Sequence, residues 1–294
     1  MRIDEDSNQR SQEHDARFDY EIKEPELARN AFDACASKLG FLPSSLAETI
    51  KELKAESAPI ELHYLSDGEE IDLDDYLDAA SSGEKTMDVY RDEIVGREIT
   101  DLAVSLLVDC SGSMRGRESY FAYATSVLVS LACEEADVPY EIAAFSTGGV
   151  LYVKRFDEDR ETTRELLGTV YSAAQTYYGS IIRETVNLWG GTDLEGALPI
   201  MLENLRKDER KKAKLLFIIT DGLVNNPERI GRMVADAREK GIVVVGVGVG
   251  VASESLKACF SHCRSFDGNS IGKLPEYIAE EIEEAISSQN FLGY

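Results

Sequence analysis

Residues able to hold a hard metal ion follow a short apolar segment of the chain. Residues 102–108 are almost all apolar, and the run ends in Asp109, with hydroxyl side chains following at Ser111 and Ser113. A run this short and apolar predicts a strand buried on both faces, as in the middle of a parallel sheet. Alternate residues of an extended segment point the same way, so one carboxylate and two hydroxyls can converge on one point. Oxygen ligands of this kind suit Mg²⁺ or Mn²⁺ better than zinc.

Two later segments supply matching oxygen atoms. A second apolar run, residues 215–219 after Lys214, leads into Thr220 and Asp221. A glycine turn at 190–191 places Thr192 just before an expected helix that Thr192 or Asp193 caps. We therefore predict a site for Mg²⁺ or Mn²⁺ formed by five side chains: Asp109, Ser111, Ser113, Thr192 and Asp221. The alternative is that the two aspartates only cap helices and that the two serines are turn residues.

The pattern of apolar segments predicts the fold class. From Asp101 onward, strand-like and helix-like segments alternate, and the turn at 146–149 predicts one strand that returns antiparallel at the sheet edge. We expect an α/β, doubly wound, mostly parallel six-stranded sheet with one antiparallel edge strand. If the strand order is 3-2-1-4-5-6, the strands that end in Asp109 and Asp221 are neighbours, and the metal falls at the topological switch point.

Composition limits the partners and the compartment. The 294 residues carry a formal net charge of −24, which disfavours nucleic acid and anionic membrane surfaces as partners. No run approaches the roughly 18 apolar residues of a membrane span, and the polar start lacks the apolar stretch of a signal peptide. The cysteine count is five, an odd number that fits a reducing compartment better than a disulfide framework. These features predict a cytoplasmic protein.

The acidic residues are concentrated in the first third of the chain. Residues 1–100 contain 11 basic and 26 acidic residues, a net charge of −15. We expect residues 1–16 to be disordered, residues 17–98 to form an acidic, mainly helical N-terminal extension, and residues 99–294 to form the α/β domain. In the extension, apolar residues from Leu27 to Leu39 recur at helical spacing, and Gly40 is expected to end that helix.

The pattern Asp-x-Ser-x-Ser, then Thr, then Asp resembles the metal-ion-dependent adhesion site of the von Willebrand factor A domain. Within that family the chain is most similar to the intracellular bacterial branch, which includes the A-domain subunit of cobaltochelatases and the nitric-oxide-reductase activation proteins. Three stretches carry this similarity: residues 67–73, 100–116 and 140–147. The similarity covers roughly residues 60–290.

The resemblance implies a metal-dependent protein-interaction module. It implies a cytosolic adaptor that works with a MoxR-type AAA+ ATPase in metal insertion or in the maturation of a metalloenzyme. A partner protein would supply an Asp or Glu to the metal, because the five ligands leave room in an octahedral shell. The chain would not be an enzyme by itself, but a non-catalytic subunit of a chelatase-like complex.

Other functions are less well supported by the residues. A phosphohydrolase of the haloacid dehalogenase type is the main alternative, but it needs a second aspartate where this chain has Ser111. An extracellular adhesin is disfavoured by the absent signal and the odd cysteine count, and a zinc site at residues 259–263 lacks a second ligand pair. We expect no catalytic residue and no nucleotide-binding loop, since the phosphate-binding glycine pattern is absent and no histidine falls in the metal loops.

Overall fold

The computed structural model describes the greater part of the chain in two compact units. The smaller unit spans Glu52–Thr100, and the larger unit combines Met1–Lys51 with Asp101–Tyr294. The described residues are 25–56, 60–65, 70–71, 90–95, 102–147, 149–158, 160–175, 190–207, 213–222, 226–250, 256–267 and 271–290.

Helices and strands alternate through most of the described chain. The helices are α1 (Pro25–Leu39), α2 (Leu42–Glu56), α3 (Arg117–Glu135), α4 (Arg160–Gln175), α5 (Leu194–Lys207), α6 (Pro227–Glu239) and α7 (Leu274–Asn290). The strands are β1 (Ile60–Leu65), β2 (Glu70–Ile71), β3 (Tyr90–Val95), β4 (Leu102–Asp109), β5 (Tyr140–Ser146), β6 (Gly149–Lys154), β7 (Ala213–Thr220), β8 (Ile242–Val249) and β9 (His262–Phe266). Short 3-10 turns occupy Gly112–Met114 and Ile271–Lys273.

The smaller unit contains an antiparallel sheet with the strand order β1-β3-β2. Strand β3 pairs with β1 over its whole length, from Ile60 opposite Val95 to Leu65 opposite Tyr90. The expectation of a mainly helical extension did not include this sheet. Helix α1 was expected, and Gly40 ends it as predicted, with the positive φ of +60° that glycine adopts readily.

The larger unit is organised around a six-stranded sheet with the order β6-β5-β4-β7-β8-β9. All neighbouring pairs are parallel except β5 and β6, which form the antiparallel edge. When the six strands β4 to β9 are renumbered from 1 to 6 in chain order, their order in the sheet is 3-2-1-4-5-6. The predicted doubly wound fold is therefore confirmed. Strands β4 and β7 are neighbours, with Val108 opposite Ile219, and their carboxyl ends therefore meet at the switch point.

The apolar composition of the central strands explains why they lie in the middle of the sheet. Every residue of β4 and β8 is buried, and only Lys214 of β7 is partly exposed. Strands that helices cover on both faces have continuous apolar sequences, whereas strands with one face in solvent alternate apolar and polar residues. The sheet packs against α5 and α6 through a cluster that includes Leu198, Met201, Ile218 and Ile230, and this core holds the strand ends in place.

Helix α1 packs closely against α4. The side chains of Ala28 and Phe32 are 3% exposed, and Arg29 forms an ion pair with Glu165 across the two helices at 3.2 Å. At the crossing, a Cβ atom added to Gly168 would overlap the carbonyl oxygen of Ala28. Small residues allow two helix backbones to approach this closely, so Gly168 is required by packing rather than by backbone conformation.

Replacement of Gly168 by alanine should destabilise the larger unit. An alanine inside a helix normally stabilises by up to about 1 kcal/mol relative to glycine. Here the overlap with Ala28 reverses the sign, and we expect a loss of about 1–3 kcal/mol in the free energy of unfolding. Thermal unfolding followed by circular dichroism measures this change.

The matched control is Gly231→Ala in the middle of α6. A Cβ atom at Gly231 would meet its nearest neighbour, the carbonyl oxygen of Ala258, at an ordinary contact distance of 3.5 Å. This variant should be as stable as the wild type or more stable. If Gly168→Ala also unfolded no earlier than the wild type, the close approach of α1 to α4 would be contradicted.

A search of the described helices for membrane-spanning segments found none that combines the required length with the required apolar character.

Candidate metal centre

Asp109 is the last residue of β4 and lies at the carboxyl end of the sheet. Its side chain is 2% exposed, and both carboxylate oxygens accept hydrogen bonds. Oδ1 accepts from the backbone N–H of Ser111 at 2.8 Å, and Oδ2 accepts from the hydroxyl of Thr220 at 2.8 Å. The carboxylate is therefore held at one end by its own loop and at the other by strand β7.

The two serines after Asp109 converge as predicted, but Ser113 lies in the 3-10 turn Gly112–Met114 and not in the extended segment that the prediction assumed. Ser111 is buried, Ser113 is exposed, and their hydroxyl oxygens lie 3.0 Å apart, close enough for either to donate to the other. In an octahedral shell with metal–oxygen distances of about 2.1 Å, adjacent ligand oxygens lie about 3 Å apart. The spacing of the two hydroxyls therefore fits two adjacent positions around a small divalent ion.

The loop that carries Thr192 is hydrogen-bonded to the loop that follows β4. The N–H of Gly112 donates to the carbonyl oxygen of Gly190 at 3.0 Å. Thr147, in the turn between β5 and β6, forms two further bonds: its N–H donates to the carbonyl oxygen of Gly191 at 2.8 Å, and its hydroxyl accepts from the N–H of Gly191 at 3.1 Å. Thr192, which is partly buried, follows directly and is positioned by these contacts.

The structure decides which residue caps helix α5. The Asp193 carboxylate accepts a hydrogen bond from the N–H of Gly196 at 3.0 Å, which is the geometry of an N-cap. The sequence left Thr192 and Asp193 as equal candidates for this role. Since Asp193 fills it, Thr192 keeps the role of a candidate metal ligand.

Asp221 follows β7 and is partly buried beside Asp109. The chain turns at Gly222, whose φ is +83° and whose N–H donates to the Thr220 hydroxyl at 3.1 Å. Burial raises the pKa of the Asp109 carboxyl above its ordinary value; hydrogen bonds from Ser111 and Thr220 oppose this rise, and the nearby charge of Asp221 adds to it. The charge of Asp221 thus lies close enough to disfavour the ionised form of Asp109.

The donor set fits a hard divalent cation. Within the described part of the chain, Asp109 forms no ion pair with a basic side chain. A cation at this position would therefore offset the desolvation of the buried Asp109 carboxylate and its repulsion by the charge of Asp221. No group of three or more His, Cys, Asp or Glu side chains suited to a metal occurs among the described residues. At the switch point, the candidate ligands for a cation are the carboxylates of Asp109 and Asp221 and the nearby hydroxyl oxygens of Ser111 and Ser113.

Sequence reasoning did not assign the hydrogen-bonding roles of two residues of this centre, Thr147 and Thr220. Neither belongs to the predicted ligand set, yet each forms two hydrogen bonds that hold a ligand loop. Thr220 stands next to Asp221 in the sequence, and that adjacency was the available signal. The turn after the second strand of the α/β domain was expected to place Thr147 in a loop near the metal, but its bonds to Gly191, 44 positions away, were not predicted.

The cysteines near possible sites are packed thiols. Cys110 is 5% exposed behind the metal loop, and burial together with the charge of Asp109 raises the pKa of its thiol far above the ordinary range, which makes it a poor nucleophile. Burial also raises the pKa of Cys259 and Cys263. Between them, His262 contacts the Glu281 carboxylate through Nδ1 at 3.2 Å.

Solved structures with a similar fold include a conserved hypothetical protein, BatB, from Bacteroides thetaiotaomicron, with 16% identity over 63% of this chain and 99% of that chain and a TM-score of 0.47. The manganese-loaded TRAP protein of Plasmodium vivax has 15% identity over 62% of this chain and 74% of that chain, with a TM-score of 0.45. The pilus adhesin SpaC from Lactobacillus rhamnosus GG has 14% identity over 64% of this chain but only 30% of that chain, with a TM-score of 0.44.

Comparison with curated protein sequences gave no significant match. The family model of the von Willebrand factor type A domain matches residues 103–262, which is more than half of the 294 residues. The matched region contains β4 to β8 and all five predicted ligands. The chain therefore belongs to the von Willebrand factor type A domain family.

Proposed function

We propose that this protein is a metal-dependent protein-interaction module and that its metal-ion-dependent adhesion site binds Mg²⁺, with Mn²⁺ as a substitute. The proposed ligands, some direct and some through water, are Asp109, Ser111, Ser113, Thr192 and Asp221. The observation that carries the proposal is the Asp109 carboxylate, buried and held at both oxygens beside two hydroxyls 3.0 Å apart. This arrangement lies at the switch point of the sheet, where doubly wound folds bind their ligands.

Each ligand has a distinct task in this proposal. Asp109 and Asp221 supply negative charge, while the hydroxyls of Ser111, Ser113 and Thr192 supply neutral oxygen atoms. Neutral hydroxyls donate less electron density than carboxylates do, so they would leave the ion relatively electron-poor, and an open position in its octahedral shell could then accept a further carboxylate. A bound ion supplies the Lewis acidity that draws a carboxylate oxygen of a partner protein into its coordination shell.

The charges around the centre favour an acidic side chain of the partner. Arg115 and Arg117 are exposed, and they follow the metal loop directly on a protein whose net charge is −24. A small positive region on a strongly acidic surface selects a carboxylate that can reach it and repels other acidic surfaces. We propose that the partner presents an Asp or Glu on an exposed loop.

The identity of the partner and of the pathway is proposed from the resemblance to the intracellular bacterial branch of the family. We propose that the partner is a MoxR-type AAA+ ATPase or its client, and that the pair acts in metal insertion or metalloenzyme maturation. All five cysteines are free thiols in the structure, which supports the proposed cytoplasmic location. We further propose that the chain is not an enzyme by itself. Ser111 stands where the haloacid dehalogenase alternative needs a second aspartate, and the described His262 lies on edge strand β9.

Capture of the partner should depend on the metal. The tagged full chain is incubated with the native cytosol in Mg²⁺ or in EDTA, and the bound proteins are identified by mass spectrometry. We expect a AAA+ ATPase to be enriched about tenfold or more in Mg²⁺, because one coordination bond to a carboxylate contributes at least about 1.4 kcal/mol of binding free energy. Thr192→Ala and Asp221→Ala should abolish the enrichment.

The control variant is Asp236→Ala, which removes an exposed carboxylate on α6 that pairs with Arg206 and Lys240. It should capture the ATPase as the wild type does. Equal recovery of the ATPase in EDTA and Mg²⁺ would show that the contact does not use the metal centre.

A further inference from the structure

Thr220 connects the two loops that carry the acidic ligands. It is the last residue of β7, it is 1% exposed, and its hydroxyl contacts groups on both loops. We propose that Thr220 is a positioning residue that sets the metal affinity of this site by holding Asp109 and Asp221 in place. This inference rests on the proposed metal-binding function and deepens it.

The hydrogen bonds of Thr220 have only one possible direction. A hydroxyl carries one proton. The N–H of Gly222 donates to Thr220 Oγ1 at 3.1 Å, so the oxygen acts there as the acceptor. A carboxylate can only accept, so the proton of Thr220 points to Asp109 Oδ2, at 2.8 Å. The hydroxyl therefore has one orientation, with its proton directed at Asp109.

The bond to Asp109 fixes the rotation of that carboxylate. Oδ1 is already held by the N–H of Ser111, and the second bond, from Thr220, prevents rotation about the bond between Cβ and the carboxyl carbon. The two bonded residues are 111 positions apart and lie on neighbouring strands. A ligand held in one orientation before the ion arrives loses less conformational freedom on binding.

The bond from Gly222 acts on the other acidic ligand. Asp221 lies between Thr220 and Gly222 in the chain, so a hydrogen bond between its two neighbours shapes the turn from which its side chain projects. By holding one loop through its hydroxyl proton and the other through its oxygen, Thr220 sets the orientation of the Asp109 carboxylate and the shape of the turn that carries Asp221.

A purely structural role for Thr220 makes a different prediction. If the hydroxyl only satisfies buried polar groups, its removal lowers the stability of the metal-free protein and leaves the intrinsic affinity for the ion unchanged. If it positions the ligands, the dissociation constant itself rises. The two roles are separated by measuring metal affinity and metal-free stability on the same variants.

The test uses the full chain and Mn²⁺ as the probe, with binding read from the electron paramagnetic resonance signal of free Mn²⁺. Thr220→Val keeps the shape and removes the hydroxyl, and we expect its dissociation constant to rise about tenfold or more, as for the loss of one hydrogen bond to a charged group. Thr220→Ser restores the hydroxyl and should bind within about threefold of the wild type. Thr220→Ala removes the hydroxyl without adding bulk and replaces Thr220→Val if that variant fails to fold.

The matched control is Thr125→Val. Thr125 is also a buried threonine, 2% exposed, but its hydroxyl donates to the carbonyl oxygen of Phe121 within α3. It should change stability without changing the dissociation constant for Mn²⁺. Wild-type affinity in folded Thr220→Val or Thr220→Ala would overturn the positioning role. A wild-type protein that binds no Mn²⁺ would instead overturn the proposed function on which that role rests.

Discussion

Addition of Mg²⁺ or Mn²⁺ should raise the melting temperature of the wild-type protein, and Asp109→Ala should abolish that response. A ligand that binds only the folded state stabilises it by about 1.4 kcal/mol at tenfold excess over its dissociation constant and by about 4.1 kcal/mol at thousandfold excess. For a domain of this size, each kcal/mol raises the melting temperature by about 2–4 °C. Without the Asp109 carboxylate, the proposed site loses the one ligand that is both buried and held at both oxygens.

Thermal unfolding in a series of metal concentrations measures this response. Asp109→Asn gives a second variant, because it keeps the shape of the side chain while removing its charge, and it should also lose the response. The control is Asp236→Ala on the exposed face of α6, which should respond to the metal as the wild type does. An equal rise in melting temperature for the wild type and Asp109→Ala would contradict the proposal that Asp109 binds the metal.

The second large effect concerns a buried glutamate in the sheet. Glu141 lies in β5, is 2% exposed, and accepts a hydrogen bond from the hydroxyl of Ser105 on β4 at 3.2 Å. Burial raises its pKa from 4.5 to about 7, although hydrogen bonds from Ser105 and Asn204 and the charges of Arg155 and Lys154 oppose the rise. The folded protein therefore holds a proton at Glu141 that the unfolded chain has lost between these pH values.

The sign of the pH dependence follows from this raised pKa. Between about pH 4.5 and pH 7 the folded state binds more protons at this residue than the unfolded state does, so the free energy of unfolding falls as the pH rises. Above about pH 7 the folded protein carries the full cost of burying an ionised Glu141. This cost lowers the free energy of unfolding by at most about 3 kcal/mol for a shift of this size. Glu141→Gln should remove this contribution and should be more stable than the wild type at pH 8.

Urea unfolding at pH 5 and pH 8 tests the prediction. The difference in free energy of unfolding between the two pH values should be smaller for Glu141→Gln than for the wild type by about 2–3 kcal/mol. The control is Glu239→Gln at the exposed end of α6, which should follow the wild-type profile. Parallel pH profiles for Glu141→Gln and the wild type would show that Glu141 is ionised in the folded protein at neutral pH.

The strands that carry the acidic residues were predictable because they depend on local patterns, whereas their order in the sheet entered only as a condition of the doubly wound fold. A strand covered on both faces must be apolar along its whole length, so β4 and β7 are visible in the sequence, together with the acidic residues that follow them. Serines at two-residue spacing after Asp109 were expected to converge, and their hydroxyls lie 3.0 Å apart. The placement of Asp221 beside Asp109 followed from that condition, since it makes β4 and β7 neighbours.

The sequence by itself determined the doubly wound sheet and the set of candidate ligands, since periodicity and spacing act over a few residues. The tertiary structure alone decided that Thr220 and Thr147 hold the ligand loops, that Gly168 admits the backbone of α1, and that Glu141 is buried among the strands. Each of these properties depends on a contact between residues far apart in the chain. Such a contact forms only when the whole sheet and its helices have packed, and it leaves no periodic trace in the sequence.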